Sequence, residues 1–164
     1  MTTLTVRAEA WDTPEGVALR AAQRRELDAR YGSDTHEAGA EPTAESVPVF
    51  LIARTLGGIA VGCAGLRPIS LTADGDVLPG GPITTAEIKR MFVAPDYRGT
   101  GVSRALLAGL EEAARGLGLD RLVLETGALQ PDAMRFYERE GYLPIPTFGD
   151  YRVDELSRCY QRIL

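Results

Sequence analysis

The chain reads as a mixed α/β fold, a central sheet with helices packed on it, and three observations predict this. β-rich and helical runs alternate only in part, in the order β–α–loop–β–β–β–α–β–α–β–β, which argues against a doubly wound parallel sheet. Proline opens and glycine closes two of the helical runs, at Pro14/Gly32 and Pro131/Gly141. The 164 residues, 45% apolar and 25% charged, suit one ordinary globular domain with a core of its own. Residues 1–164 are therefore expected to form a single domain.

The elements follow in order. "TLTVRA" alternates and predicts a strand over about residues 3–8. Thr13 is a candidate N-cap for a helix that begins at Pro14, is rich in Ala, Leu, Arg and Glu, and stops at Gly32. Residues 33–46 are polar and turn-rich, a loop in which His36 is expected to be solvated. "VPVFLIARTLGGIAVGCAGLRPI" is a hairpin around Gly57-Gly58. Residues 70–85 carry turn residues throughout and predict a long exposed connection. "AEIKRMFVAP" is the next strand, ended by Pro95. Val102, Leu106, Leu110, Ala113 and Leu117 recur at helical spacing and should face the core. "RLVLETG" is a short strand, "PDAMRFYERE" a helix, and "YLPIP" and "LSRCYQRIL" are strands that close the sheet.

Composition excludes several functions. Net charge is 18 − 23 = −5, without the basic stripe of a nucleic-acid binder. No apolar run has the length of a membrane span, and the N-terminus lacks the pattern of a secretory leader, so the expected setting is the cytoplasm. One histidine and no CxxC or HxxxH spacing leave no metal site to predict. Cys63 and Cys159 sit in apolar surroundings and read as buried free thiols.

The stretch "PDYRGTGVSRALL" places Gly99 and Gly101 directly before a helix. The first amides of a helix have no intrahelical acceptor, so a glycine turn there can receive an anion; it can equally be a plain tight turn. No GxxxxGK[ST] string is present. A GxGxxG reading fails because Arg104 stands at the third glycine.

"RGTGVS" (Arg98–Ser103) closely resembles the [Q/R]xxGx[G/A] signature of the GCN5-related N-acetyltransferase (GNAT) superfamily, with Ser103 at the final small position. "EIKRMFVAPDYRGTGVSRALL" and "LETGALQPDAMRFYEREGY" resemble two consecutive units of that family, and the tail "GYLPIPTFGDY" resembles its bacterial small-molecule branch. The resemblance implies a mostly antiparallel sheet with splayed central strands, acetyl-CoA as donor, and direct attack by a primary amine on the thioester. A homodimer is implied on the same ground.

The resemblance also assigns residues. The backbone from Arg98 through Gly99, Thr100, Gly101, Val102 and Ser103 to Arg104 would hold the pyrophosphate, and Gln130, where the family often has Asn, the pantetheine arm. Amides near Met91, Phe92 and Val93 would stabilise charge on the thioester oxygen. Glu87 would act as general base: an alkyl amine with a pKa of about 10.4 costs about 4.6 kcal/mol to deprotonate at pH 7. Tyr137, protonated at neutral pH, would donate to the departing sulfur, with Phe136 in the core. Arg90 could face phosphate or the acceptor pocket, and Lys89 is expected at the surface. Acceptor walls are expected from Glu26, Tyr31, Asp34, Phe148 and Tyr151, whose acidic groups would attract a cationic amine. The competing readings are a CoA-binding sensor without turnover, a protein or peptide amine acetyltransferase, and a structural domain with an empty glycine turn.

Overall fold

The computed structural model describes residues 3–164; Met1 and Thr2, part of the stretch read for a leader, lie outside them. The strands are β1 (Leu4–Ala8), β2 (Val49–Thr55), β3 (Ala60–Ile69), β4 (Thr85–Val93), β5 (Arg121–Gly127), β6 (Leu143–Ile145) and β7 (Ser157–Ile163). The helices are α1 (Pro14–Tyr31), α2 (Val102–Gly116) and α3 (Pro131–Arg139). The described residues form a seven-stranded sheet of order β1-β2-β3-β4-β5-β7-β6. β4 and β5 run parallel, while every other neighbouring pair is antiparallel. The mixed, mostly antiparallel sheet expected from the sequence is the one observed.

Local chemistry sets the element ends. Thr13 Oγ1 accepts from Gly16 N at 3.2 Å, Pro14 opens α1, and Gly32 closes it at φ 69°. α2 lays Val102, Leu106, Leu107, Leu110 and Ala114 into the main core. Burying each leucine side chain there is worth about 1.5–3 kcal/mol. Leu117, expected on this face, is exposed, because the helix ends at Gly116 and the chain turns away. Residues 70–84 form the long connection, with one isolated bridge between Leu71 and Val77.

The feature that matters for function is a fork in the middle of the sheet. β4 pairs with β5 only from Thr85↔Arg121 to Ile88↔Leu124. Beyond that point β4 stays with β3 and β5 stays with β7. The divergence starts where the β3–β4 register slips between Cys63 and Gly65, opposite Arg90. Arg90 there takes φ 58°, a left-handed conformation that costs a non-glycine residue about 1–3 kcal/mol.

Candidate active site

The fork opens into a cleft of about 860 Å³. One wall carries the glycine turn. Gly99 and Gly101 have φ 74° and 94°, and a Cβ at either would project into open space. The first backbone bond of α2 runs from Ala105 N to Gly101 O at 3.0 Å. The amides of Val102, Ser103 and Arg104 are therefore not used by the helix, and they sit at the positive end of its dipole. Arg98 braces the turn: Nε donates to Val93 O at 2.9 Å, and Nη2 meets Glu26 at 2.7 Å. This cradle fits a bound pyrophosphate. Its donors are backbone groups, an arginine lies alongside, and among the described residues nothing lies within 4 Å of a Cβ at either glycine.

Tyr137 lines the same cleft from α3. It is 5% exposed, and its hydroxyl meets no protein hydrogen-bond partner among the described residues. Burial raises its pKa above the usual phenol value, so it holds its proton. Phe136, expected in the core, is half-buried, lines the cleft and packs edge-on to Tyr137 at 5.2 Å. Met91, Phe92 and Val93, on the β4 segment beyond the last β5 pair, also face the cleft. Gln23 Nε2 pins Met91 O at 2.9 Å.

The opposite side is highly polar. Glu37 gathers three cations: Arg24 at 3.3 Å, Lys89 at 3.6 Å and Arg90 at 2.9 Å. Its carboxyl pKa is lowered by Arg90, Lys89 and Arg24 against the opposing effect of burial. Lys89, expected at the surface, is buried, with Nζ 2.9 Å from the Tyr151 hydroxyl. His36, expected to be solvated, stacks on Tyr31 at 5.1 Å and bonds Asp28 at 2.9 Å, because the loop folds back over α1. Tyr31 spans to the other branch of the fork, where its hydroxyl accepts from Gln130 at 3.2 Å and packs on Gly127. A Cβ at Gly127 would overlap that hydroxyl, so only glycine admits this contact.

The remaining expected site residues divide clearly. Glu26, Tyr31, Arg90, Arg98, Ser103, Arg104 and Gln130 line the cleft. Arg104 is exposed and pairs with Glu140 at 3.0 Å. The Thr100 hydroxyl turns back to Tyr97 O, and the Val102 side chain is core, which leaves their amides as their contribution. Asp34, Phe148 and Tyr151 are not among the lining residues. Asp34 is exposed and offers its carbonyl to Arg24. Phe148 and Tyr151 are buried against each other at 5.3 Å. Glu87 is also off the cleft lining and only 1% exposed. Arg67 Nε and Nη2 both donate to its Oε1, at 3.1 and 2.5 Å, and the Tyr151 hydroxyl donates to its Oε2.

Sequence reasoning missed Glu125. It is the first β5 residue past the last β4 pair, and it lines the cleft. Ser157 Oγ donates to it at 3.1 Å. Burial raises its pKa to about 7, a shift that Glu87 and Glu37 reinforce and Ser157 and Lys89 oppose. Its one sequence signal is a lone acid inside the apolar run "RLVLETG".

Residues 7–142 match the model of the acetyltransferase (GNAT) family. An IAA acetyltransferase of Azospirillum brasilense is 38% identical over 115 residues, 70% of this chain and 67% of that protein. An aminoalkylphosphonate N-acetyltransferase of Salmonella typhimurium is 45% identical over 56 residues, 34% of this chain but only 36% of that protein. A crystal structure from Klebsiella pneumoniae, named as a prospective acyl-CoA N-acyltransferase, superposes with TM-score 0.74 at 32% identity, covering 99% and 98% of the two chains. A GNAT family acetyltransferase of Elizabethkingia anophelis with acetyl-CoA bound shares the fold at TM-score 0.64 and 18% identity, over 98% of each chain. The chain belongs to the GNAT acetyltransferase family. It is accordingly an acyltransferase of the class that uses acetyl-CoA as acyl donor for N-acetylation. Among the described residues, no helix is long and apolar enough to cross a membrane.

Proposed function

We propose that the protein transfers an acetyl group from acetyl-CoA to the primary amine of a small molecule. The observation that carries this reading is the fork: one cleft holds a glycine-turn cradle, a diverging β4 segment, a protonated tyrosine and a near-neutral carboxyl group. The enclosing contact between Tyr31 and Gln130 favours a small acceptor over a protein chain. The names of the relatives from Azospirillum and Salmonella, which specify small acceptors, support the same choice.

Acetyl-CoA, when bound, supplies the activated acyl group. The amides from Gly99 to Arg104 would hold its pyrophosphate, and the Met91–Val93 segment and Gln130 would hold its arm. Overall, the amine nitrogen bonds to the acetyl carbon, the carbon–sulfur bond breaks, and the amine proton is balanced by the proton that ends on sulfur. Glu125 receives the amine proton, directly or through water, because it faces the cleft with a pKa near the working pH. Tyr137 donates to the leaving thiolate, and the proton taken up by Glu125 returns through solvent to Tyr137, which restores both groups. Glu87, with both oxygens engaged, positions Tyr151 and Lys89 beneath the site.

Thiol release by purified protein, with mass spectrometry of the acceptor, tests this reading across small amines, amino acids and peptides. N-acetylated small amines are expected. Turnover confined to peptides overturns the acceptor class. A CoA-induced rise in Tm with no turnover on any amine supports the sensor reading instead.

A further inference from the structure

Lys89 and Arg90 are neighbours on a strand, where successive side chains normally point to opposite faces. Here both reach the same carboxylate, that of Glu37, and both line the cleft. The left-handed backbone of Arg90 at the register slip allows this. Strain of that kind persists where the surrounding structure enforces it, often at ligand clamps.

The local charges do not balance. Arg67 pairs with Glu87, and Arg24 has Asp28 at 3.3 Å. Arg90 is left with Glu37, which it shares with Lys89 (itself also 3.8 Å from Glu87), while Glu125, with a pKa of about 7, is only partly ionised at neutral pH. Leaving buried positive charge undercompensated is unfavourable, and a second anion relieves it. Arg90 also has donors to spare. Nη1 binds Glu37, while Nε and Nη2 meet no protein acceptor among the described residues. The Arg90 side chain is 10% exposed and lines the cleft.

We propose that Arg90 and Lys89 form an oxyanion subsite, and that the acceptor is an amine bearing a carboxylate or phosphonate. The planar guanidinium suits either group. Glu37, carried by the loop after α1, lies against the same two cations and competes with the acceptor's anion for them. This inference rests on the small-amine reading above, and it predicts two substitutions with opposite effects.

The test is calorimetric binding to the CoA-loaded protein of matched pairs: amino acids against their amides, and aminoalkylphosphonates against the corresponding alkylamines. The wild type is expected to bind the anionic member at least tenfold more tightly in one series, and the series that does so identifies the oxyanion. Arg90→Gln should reduce that ratio towards one, and Arg90→Lys should restore part of it. Glu37→Gln should tighten binding of the anionic member severalfold. Ratios near one in both series overturn the subsite, as does weakening by Glu37→Gln in a protein of unchanged Tm. Acetyl transfer to the same pairs is measured separately: preferential anion binding without transfer overturns the small-amine reading and leaves the subsite standing.

Discussion

At the scale of single residues, Tyr137 and Glu87 look interchangeable on paper, since each is a titratable group in a motif. Their surroundings separate them. Tyr137 lines the cleft, its hydroxyl has no protein partner among the described residues, and burial keeps it protonated. Glu87 has its oxygens engaged by Arg67 and Tyr151 and is sealed from the cleft. Tyr137→Phe is therefore expected to lower kcat by about 10²-fold or more, the usual scale of a lost general acid, while CoA affinity changes little. Steady-state kinetics combined with CoA titration reads both, and wild-type kcat in that variant would remove the tyrosine from the reaction. Arg67→Met should instead cost stability, about 3–5 kcal/mol, because it leaves a buried carboxylate with Lys89, at 3.8 Å, in place of its close arginine partner. Urea unfolding measures that loss.

At the scale of elements, the glycine turn and α2 act as a unit. The turn exposes the amides and the helix concentrates positive potential on them. CoA at about a hundred times its Kd should add about 2.7 kcal/mol of stability, or about 5–10 °C in Tm for a chain of this size. Gly101→Asp forces a side chain onto φ 94° and places a carboxylate in the anion cradle. It should abolish that CoA-dependent rise; an undiminished rise would sink the pyrophosphate assignment. This unit was legible in the sequence because its determinants are local: a glycine pair and a helix start lie within a few residues. Thr13, Gly32 and the hairpin at Gly57-Gly58 were legible for the same reason. The acceptor side was not. Lys89 and His36 are polar letters in polar or mixed stretches, and their burial depends on Tyr151, Tyr31 and Glu37, which are distant in sequence or brought close by loop packing. Glu125 meets the cleft because β4 leaves β5 just before it, and a register slip opposite Arg90 leaves no mark in hydrophobic periodicity.

Across the whole molecule, the near-neutral carboxyl group of Glu125, if it is the base proposed above, would couple catalysis to folding with opposite signs. Its ordinary value is 4.5 and its folded value about 7, so between those limits the folded chain holds a proton that the unfolded chain has released. Stability contributed by this group is present below about pH 4.5 and is lost as pH rises through about 7. The full shift corresponds to about 3.4 kcal/mol, and partial solvent access reduces it to about 1–3 kcal/mol. Over the same interval the ionised fraction available to accept a proton increases, so the rate should rise with pH as stability falls. Glu125→Gln removes both trends at once. It should be more stable than wild type by about 1–3 kcal/mol at pH 8, with the difference vanishing towards pH 4.5. Its kcat should be lower, without the wild-type increase around pH 7. Carboxylates such as Glu37 titrate in both proteins, so the difference between two urea-unfolding series isolates Glu125. A variant of wild-type stability at pH 8 would mean that Glu125 is ionised at little cost. An unchanged pH–rate profile would mean that the amine loses its proton elsewhere. Both results together would leave the fork without its base.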